Sequence, residues 1–183
     1  PIYAFVGEHH LAVRLQTADA DPARNAVEVL ERIVRRVRAA FPAMRLIVRG
    51  DSGFAREALF AWCEENRVDY VIGLAKNSVL VAEITDELAQ AKALHEKSRQ
   101  PERVFKAFEY QTRDSWSRDR RVIGKAEQID GKANPRFVVT SLKEDPARAI
   151  YEGRYCPRGE AENRIKEEQL YMFGKRASAS EMR

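Results

Sequence analysis

Leu46-Ile47-Val48 is a short apolar run that breaks at Gly50-Asp51-Ser52-Gly53, and an amphipathic stretch follows from about Phe54. Apolar runs bounded by turn residues in this way read as buried strands. A second run, Val68-Asp69-Tyr70-Val71-Ile72-Gly73-Leu74, lies just beyond the amphipathic stretch. Strand, helix and strand within about thirty residues form a βαβ unit, so the two strands are expected to be parallel and adjacent. This pattern restricts the chain to α/β architectures more than any other feature does. In open α/β sheets, chemistry gathers just past the carboxyl ends of the strands. Asp51 stands at that place. Asp and Ser are also preferred helix N-caps, and on local grounds capping by Asp51 or Ser52 is the commoner role.

The flanking sequence extends the sheet on both sides. Pro1 to Gln16 reads as a β-hairpin, with Tyr3 and Phe5 alternating before Gly7-Glu8 and Leu11, Val13 and Leu15 after it. His9 and His10 are adjacent near the turn and point to opposite faces, so they suit solvent better than a shared metal. Asp21-Pro22 has the composition of a helix start. Val27, Leu30, Ile33, Val34, Val37 and Phe41 then recur on one stripe, with Arg32, Arg35, Arg36 and Arg38 mostly off it. Such a charge run is ordinarily a solvated face, although it also suits a nucleic-acid backbone. The helix after Asp51 is expected to bury Leu59, Trp62 and Cys63. Another helix is expected over 78–98.

Composition shifts after the polar break at 98–103. Val104 to Thr112 and Arg120 to Gln128 are strand-like and are joined by a loop containing Trp116. Asp130-Gly131 is a turn, and Phe137-Val138-Val139-Thr140 is another buried strand. The reading is a mixed sheet flanked by helices, with 101–135 as a β-rich insertion before the last helix. Residues 1–100 and 136–183 then form the core. Asp145-Pro146 opens a short helix to about Glu152, and the final helix runs to about Phe173.

A chain of 183 residues, 44% hydrophobic, can build one medium core. Its 32 basic and 28 acidic residues leave a net charge of +4, which permits a polyanionic partner without requiring one. Cys63 and Cys156 match neither a zinc spacing nor a disulfide framework, so a reduced, cytosolic compartment is the simple expectation. No membrane span or signal peptide is visible. The chain opens on Pro1 in strand-like sequence, as a piece of something longer would.

On the last helix, Arg158, Glu162, Lys166 and Gln169 share a face. An exposed Glu162–Lys166 pair is common and stabilises a helix by only about 0.2–0.5 kcal/mol, so the spacing alone carries no chemistry.

Two blocks together resemble a known family. The first is Arg49-Gly50-Asp51-Ser52-Gly53-Phe54 followed by Val68-Asp69-Tyr70-Val71-Ile72-Gly73-Leu74. The second is Phe137-Val138-Val139-Thr140, then Tyr151, Tyr155, Arg158-Gly159, Glu162-Asn163 and Ile165-Lys166-Glu167. In this order they resemble the group 1 DDE transposases of bacterial insertion sequences, which have an RNase H-like fold. The likeness extends through nearly the whole chain, including Ser115-Trp116 and Arg120-Arg121-Val122.

The resemblance implies that Asp51 and Glu162 are the second and third members of an acidic triad. Carboxylates suit that task because phosphoryl transfer on DNA uses two divalent cations about 3.5–4 Å apart, and Mg2+ prefers hard oxygen ligands. Two Mg2+ ions are therefore expected, with Mn2+ able to substitute. The family's tyrosine–arginine–glutamate signature fits Tyr155, Arg158 and Glu162. Its later lysine falls on Gln169 by strict spacing, so that member is either absent or replaced by Lys166. Arg158 and Lys166 are expected at DNA phosphates, with Tyr155 also at the DNA. Trp116 resembles an insertion-domain aromatic that stacks on a displaced base, and anchoring the insertion is the alternative. Arg120 and Arg121 beside it favour a loop that faces DNA.

The family's first acid lies on a strand that would precede Pro1, and the family continues past Arg183. The resemblance thus implies an internal piece, with its first sheet strand missing, that is inactive alone. The implied activity is metal-dependent cleavage and strand transfer at transposon ends, on double-stranded DNA in the bacterial cytoplasm at the nucleoid. Transposases usually pair as dimers on two ends. The competing readings are an inactive remnant that only binds DNA, and a nuclease of the same fold outside transposition.

Overall fold

Apolar and aromatic residues alternate through Ile2–Val6 (β1) and His9–Arg14 (β2), and these strands pair as the expected antiparallel hairpin. They belong to a computed structural model that describes residues 2–7, 9–15, 21, 23 and 25–158. The chain divides into two units, Pro1–Leu46 with Pro157–Arg183, and Ile47–Cys156; each is taken by itself.

In the first unit His9 and His10 are exposed, and the His10 ring lies 5.0 Å from that of Phe5. Helix α1 (Ala26–Ala40) starts later than Asp21-Pro22 suggests. The Asp21 carboxylate instead accepts from the Ala23 amide at 2.9 Å, a local turn that competes with helix. Glu28 in the first helical turn accepts from Arg14 at 2.5 Å and Arg32 at 2.6 Å, tying β2 to α1. Val34 is buried as the stripe requires, whereas Phe41 falls at the C-cap and is 57% exposed.

The second unit contains the larger sheet. Its strand order is β3 (Ile47–Gly50), β4 (Asp69–Leu74), β8 (Arg136–Thr140), β6 (Arg120–Ile129) and β5 (Glu102–Tyr110), with β7 (Lys132–Ala133) pairing on β6. β3 and β4 are parallel, with Ile47 opposite Asp69 and Gly50 opposite Ile72, as the βαβ pattern demands. Every other pairing is antiparallel. The sheet is therefore mixed: β8 and β5 run opposite to β4, while β3 and β6 run with it. The opening hairpin pairs only with itself among the described residues. The segment 101–135 supplies strands that are continuous with β8, and every residue from Val122 to Gln128 is buried. A strand buried on both faces needs cover on both.

Helices α2 (Glu57–Glu65), α3 (Ser78–Glu83) and α4 (Thr85–Ser98) cover one face. The single helix expected over 78–98 is broken at Ile84. That side chain is fully buried, and its Cγ2 atom would lie 2.6 Å from a Cβ built on Gly124. Ile84 fills the notch that a bare backbone leaves in β6, and burying a side chain of this size contributes about 1.5–3 kcal/mol. The opposite face carries a cluster of Val71, Ile123, Val138, Leu142, Ile150 and Tyr151. The short helix expected from Asp145-Pro146 forms from residue 147 and continues as a π-helical segment, Ala149–Tyr155. Wide turns of this kind are rare and often sit at functional sites.

Candidate active site

β3 ends at Gly50, and the chain makes a 3-10 turn, Ser52–Phe54, before α2. Asp51 is extended and exposed at the strand's carboxyl end. Its Oδ1 accepts from the Gly53 amide at 2.8 Å, and its carbonyl accepts from the Phe54 amide at 3.1 Å. Capping and chemistry are compatible here, because an ionised carboxylate has a second oxygen and further lone pairs. The cap fixes the orientation of the side chain.

Gly73 on β4 brings a second candidate residue, Tyr155, to the same place. A Cβ at that position would fall 2.5 Å from the Tyr155 hydroxyl, 3.0 Å from the Ser52 amide and 3.3 Å from the Asp51 carbonyl carbon. The phenol and the Asp51–Ser52 peptide thus meet over bare strand backbone. Glycine in a strand interior often marks such an approach. Arg49 reinforces it by donating to the Arg154 carbonyl at 3.1 Å, which joins the end of β3 to the π-helical segment. The Tyr151 and Tyr155 rings are 5.5 Å apart, and burial raises the Tyr151 phenol well above its ordinary range. Gly73, Arg49 and Tyr151 were not singled out as site residues from sequence. Only the glycine inside an apolar run could have signalled its role.

The other expected site residues divide into two sets. Arg158 closes a 3-10 turn, Cys156–Arg158, while Glu162 and Lys166 lie outside the described residues. Trp116, Arg120 and Arg121 are occupied within the protein. Trp116 is 6% exposed and meets Phe60 and Tyr110 edge-to-face at 5.3 and 5.6 Å. As placed, the ring is a packing anchor and not a stacking platform. Arg120 is 4% exposed. It donates to Glu57 at 2.7 Å and Glu64 at 2.9 Å, and its guanidinium lies 5.1 Å from the Phe60 ring. The hydrogen bond from Arg120 is the main reason the Glu57 carboxyl is held down at about 2, despite opposing desolvation. Arg121 donates to the Leu142 and Lys143 carbonyls, each at 2.7 Å. Sequence could not reveal this, because the acids that engage Arg120 lie two turns apart on a helix distant in the chain.

Asp51 has the donor chemistry for one hard oxygen ligand. Among the described residues no group of three or more His, Cys, Asp or Glu side chains is placed to hold a metal. The carboxylate fits a divalent cation as one member of a larger set.

A mixed sheet flanked by helices is the arrangement of an RNase H-like DDE domain. The family described as transposase DDE domain, group 1, matches residues 1–183, and the chain belongs to it. No curated protein matches the chain. Membership makes this a domain of DNA-cleaving and strand-transferring enzymes, which generally use divalent metals. No helix among the described residues is long and apolar enough to cross a membrane.

Proposed function

We propose that this domain carries out metal-dependent cleavage of DNA at transposon ends and joins the freed 3′-hydroxyl to target DNA. Asp51 and Glu162 are the carboxylates that would hold the divalent ions, Mg2+ or Mn2+. Tyr155, Arg158 and Lys166 would face the DNA phosphates. When bound, a metal pair supplies the charge that activates an attacking oxygen and stabilises a leaving one. The chain's own contribution is placement. The cap from Gly53 holds the Asp51 carboxylate in one orientation, and cationic side chains would neutralise and align the phosphodiester. In this reading the domain acts as a dimer on paired ends, at the bacterial nucleoid.

The observation that carries the proposal is the meeting of Asp51 with Tyr155 at the carboxyl end of the parallel strand pair. A tyrosine distant in the sequence and an exposed acid share one spot where sheets of this kind place their chemistry.

The test uses the transposase that carries this domain, with a labelled transposon-end duplex and Mg2+. Asp51→Asn and Glu162→Gln are each expected to lower cleavage by more than about 100-fold, since even residues that only support metal ligands cost 10–100-fold. Duplex affinity measured without metal should stay within a few-fold. Cleavage at the original rate in either variant would refute the assignment. If the unaltered protein binds the duplex and never cuts it, the DNA-binding remnant is the correct reading.

A further inference from the structure

We infer that Gly73 is a positioning residue: the absence of a side chain at this point of β4 lets the Tyr155 hydroxyl and the Asp51–Ser52 turn close over the strand. That closure sets where the Asp51 carboxylate stands. The inference rests on Asp51 being a metal ligand, and it assigns a cause to that ligand's location.

The geometry is specific. One point in space, the position a Cβ would take on Gly73, lies 2.5 Å from the Tyr155 Oη and 3.0 Å from the Ser52 nitrogen. The first is shorter than carbon contacts in real proteins, and the second is tight enough that the backbone must give by a few tenths of an ångström. The Tyr155 contact is with the tip of a side chain, whereas the Ser52 and Asp51 contacts are with backbone. Asp51 hangs from that backbone through a single cap, the Gly53 amide at 2.8 Å. Whatever displaces the Asp51–Ser52 peptide therefore displaces the carboxylate. Tyr155 cannot simply swing aside, because its own ring packs at 5.5 Å on buried Tyr151, and the preceding carbonyl, that of Arg154, accepts from Arg49. A methyl group at position 73 must push on two elements at once, the turn that carries the acid and the π-helical segment.

The two contacts respond differently to substitution. Removing the hydroxyl with Tyr155→Phe relieves the shorter clash and leaves the backbone one. Gly73→Ala alone should move both elements, and Gly73→Ala with Tyr155→Phe should move chiefly the turn. The two positions are therefore coupled, and their effects do not add.

The experiment compares the unaltered transposase with Gly73→Ala, Tyr155→Phe, the double variant and Asp51→Asn. It reads melting temperature and amide hydrogen exchange across 51–54 without metal, and end cleavage as a function of Mg2+ concentration. Gly73→Ala is expected to speed exchange across 51–54 and to cut cleavage about 10–100-fold, the range for residues that orient a ligand. Part of that loss should appear as a raised Mg2+ requirement. The double variant should melt higher than Gly73→Ala alone. Exchange, melting and Mg2+ requirement all unchanged in Gly73→Ala would overturn the inference. So would strictly additive single and double effects. If Gly73→Ala does not fold, folding of the double variant supports the shared clash and its failure to fold overturns it. Should Asp51→Asn cut DNA normally, the functional reading fails first; should it abolish cutting while Gly73→Ala behaves as the unaltered protein, only the positioning role fails.

Discussion

Arg120 on β6 donates to both carboxylate oxygens of Glu57 at the start of α2, from Nη1 at 2.7 Å and Nη2 at 3.1 Å. The same guanidinium reaches both oxygens of Glu64, and the Arg120 side chain is only 2% exposed. A bidentate pair at each acid clamps the whole of α2, the helix that follows the Asp51 turn, onto the sheet. Removing one partner of a buried pair leaves charge without compensation and costs about 3–5 kcal/mol. Arg120→Ala should lose roughly 3 kcal/mol, towards the lower end because Glu57 and Glu64 keep some contact with water. Urea denaturation at neutral pH checks this, and a loss below about 1 kcal/mol would show the clamp to be dispensable.

Acid should unfold this unit through the same pair. The Glu57 carboxyl is depressed from 4.5 to about 2, chiefly by the Arg120 hydrogen bond. A carboxyl depressed on folding contributes stability that is fully present above its unfolded value and is lost as pH falls through its folded value. The window therefore runs downward from about pH 4.5 to about pH 2. Glu127 is also depressed and acts in the same direction. Urea midpoints measured down this range should fall steeply in the unaltered protein and less steeply in Arg120→Ala. Parallel curves would contradict the linkage.

Asp51 has two duties that substitution can separate. Asn caps as well as Asp does, so Asp51→Asn should leave stability within about 0.5 kcal/mol. Asp51→Ala removes the bond to Gly53 and should cost about 1 kcal/mol. Both should lack cleavage if the carboxylate is a ligand. A melting curve and a cleavage assay on the same two proteins decide the matter.

Glu127 and Lys125 should prove unequal. Glu127 accepts from Arg103, Lys125 and Asn134, each at 2.6 Å. Glu127→Ala strands Lys125, which is 7% exposed, and should cost about 3–5 kcal/mol. Lys125→Met leaves Glu127 two donors and keeps an unbranched chain beside the Tyr151 ring, so about 1.5–3 kcal/mol is expected. Chemical denaturation of the two variants gives the order, and equal losses would refute it.

The two thiols should differ sharply in reactivity. Cys63 is fully buried, and burial, with the charges of Glu64 and Asp69, pushes its thiol up to about 12. Cys156 is exposed. Because the thiolate is the reactive form, iodoacetamide at about pH 8 should label Cys156 in the native protein, and Cys63 only after denaturant is added. Mass spectrometry of tryptic peptides reads both sites.

Much of the fold was legible because it depends on local pattern. Two short apolar runs flanking an amphipathic stretch specify parallel neighbours, since a right-handed crossover leaves few alternatives. The hairpin and the strand at 136–140 also follow from alternation and burial. The break in 78–98 was not legible. Ala, Leu and Glu favour continuous helix, and only the notch at Gly124 on a strand distant in sequence explains why Ile84 leaves it. Trp116 and Arg120 were read from their resemblance as DNA-facing, and the carboxylates and rings that enclose them come from α2, Tyr70 and Tyr110.

The sequence by itself determined the strand ends, the acid placed beyond one of them and the family to which the chain belongs, because the first two are written in a few consecutive residues and the third in two short blocks kept in order. Tertiary structure alone decided which arginines stay inside, why β4 needs a glycine at position 73, and that Tyr155 stands over the Asp51 turn. Those outcomes depend on distances between segments remote in the chain, where packing and charge pairing overrule any local preference.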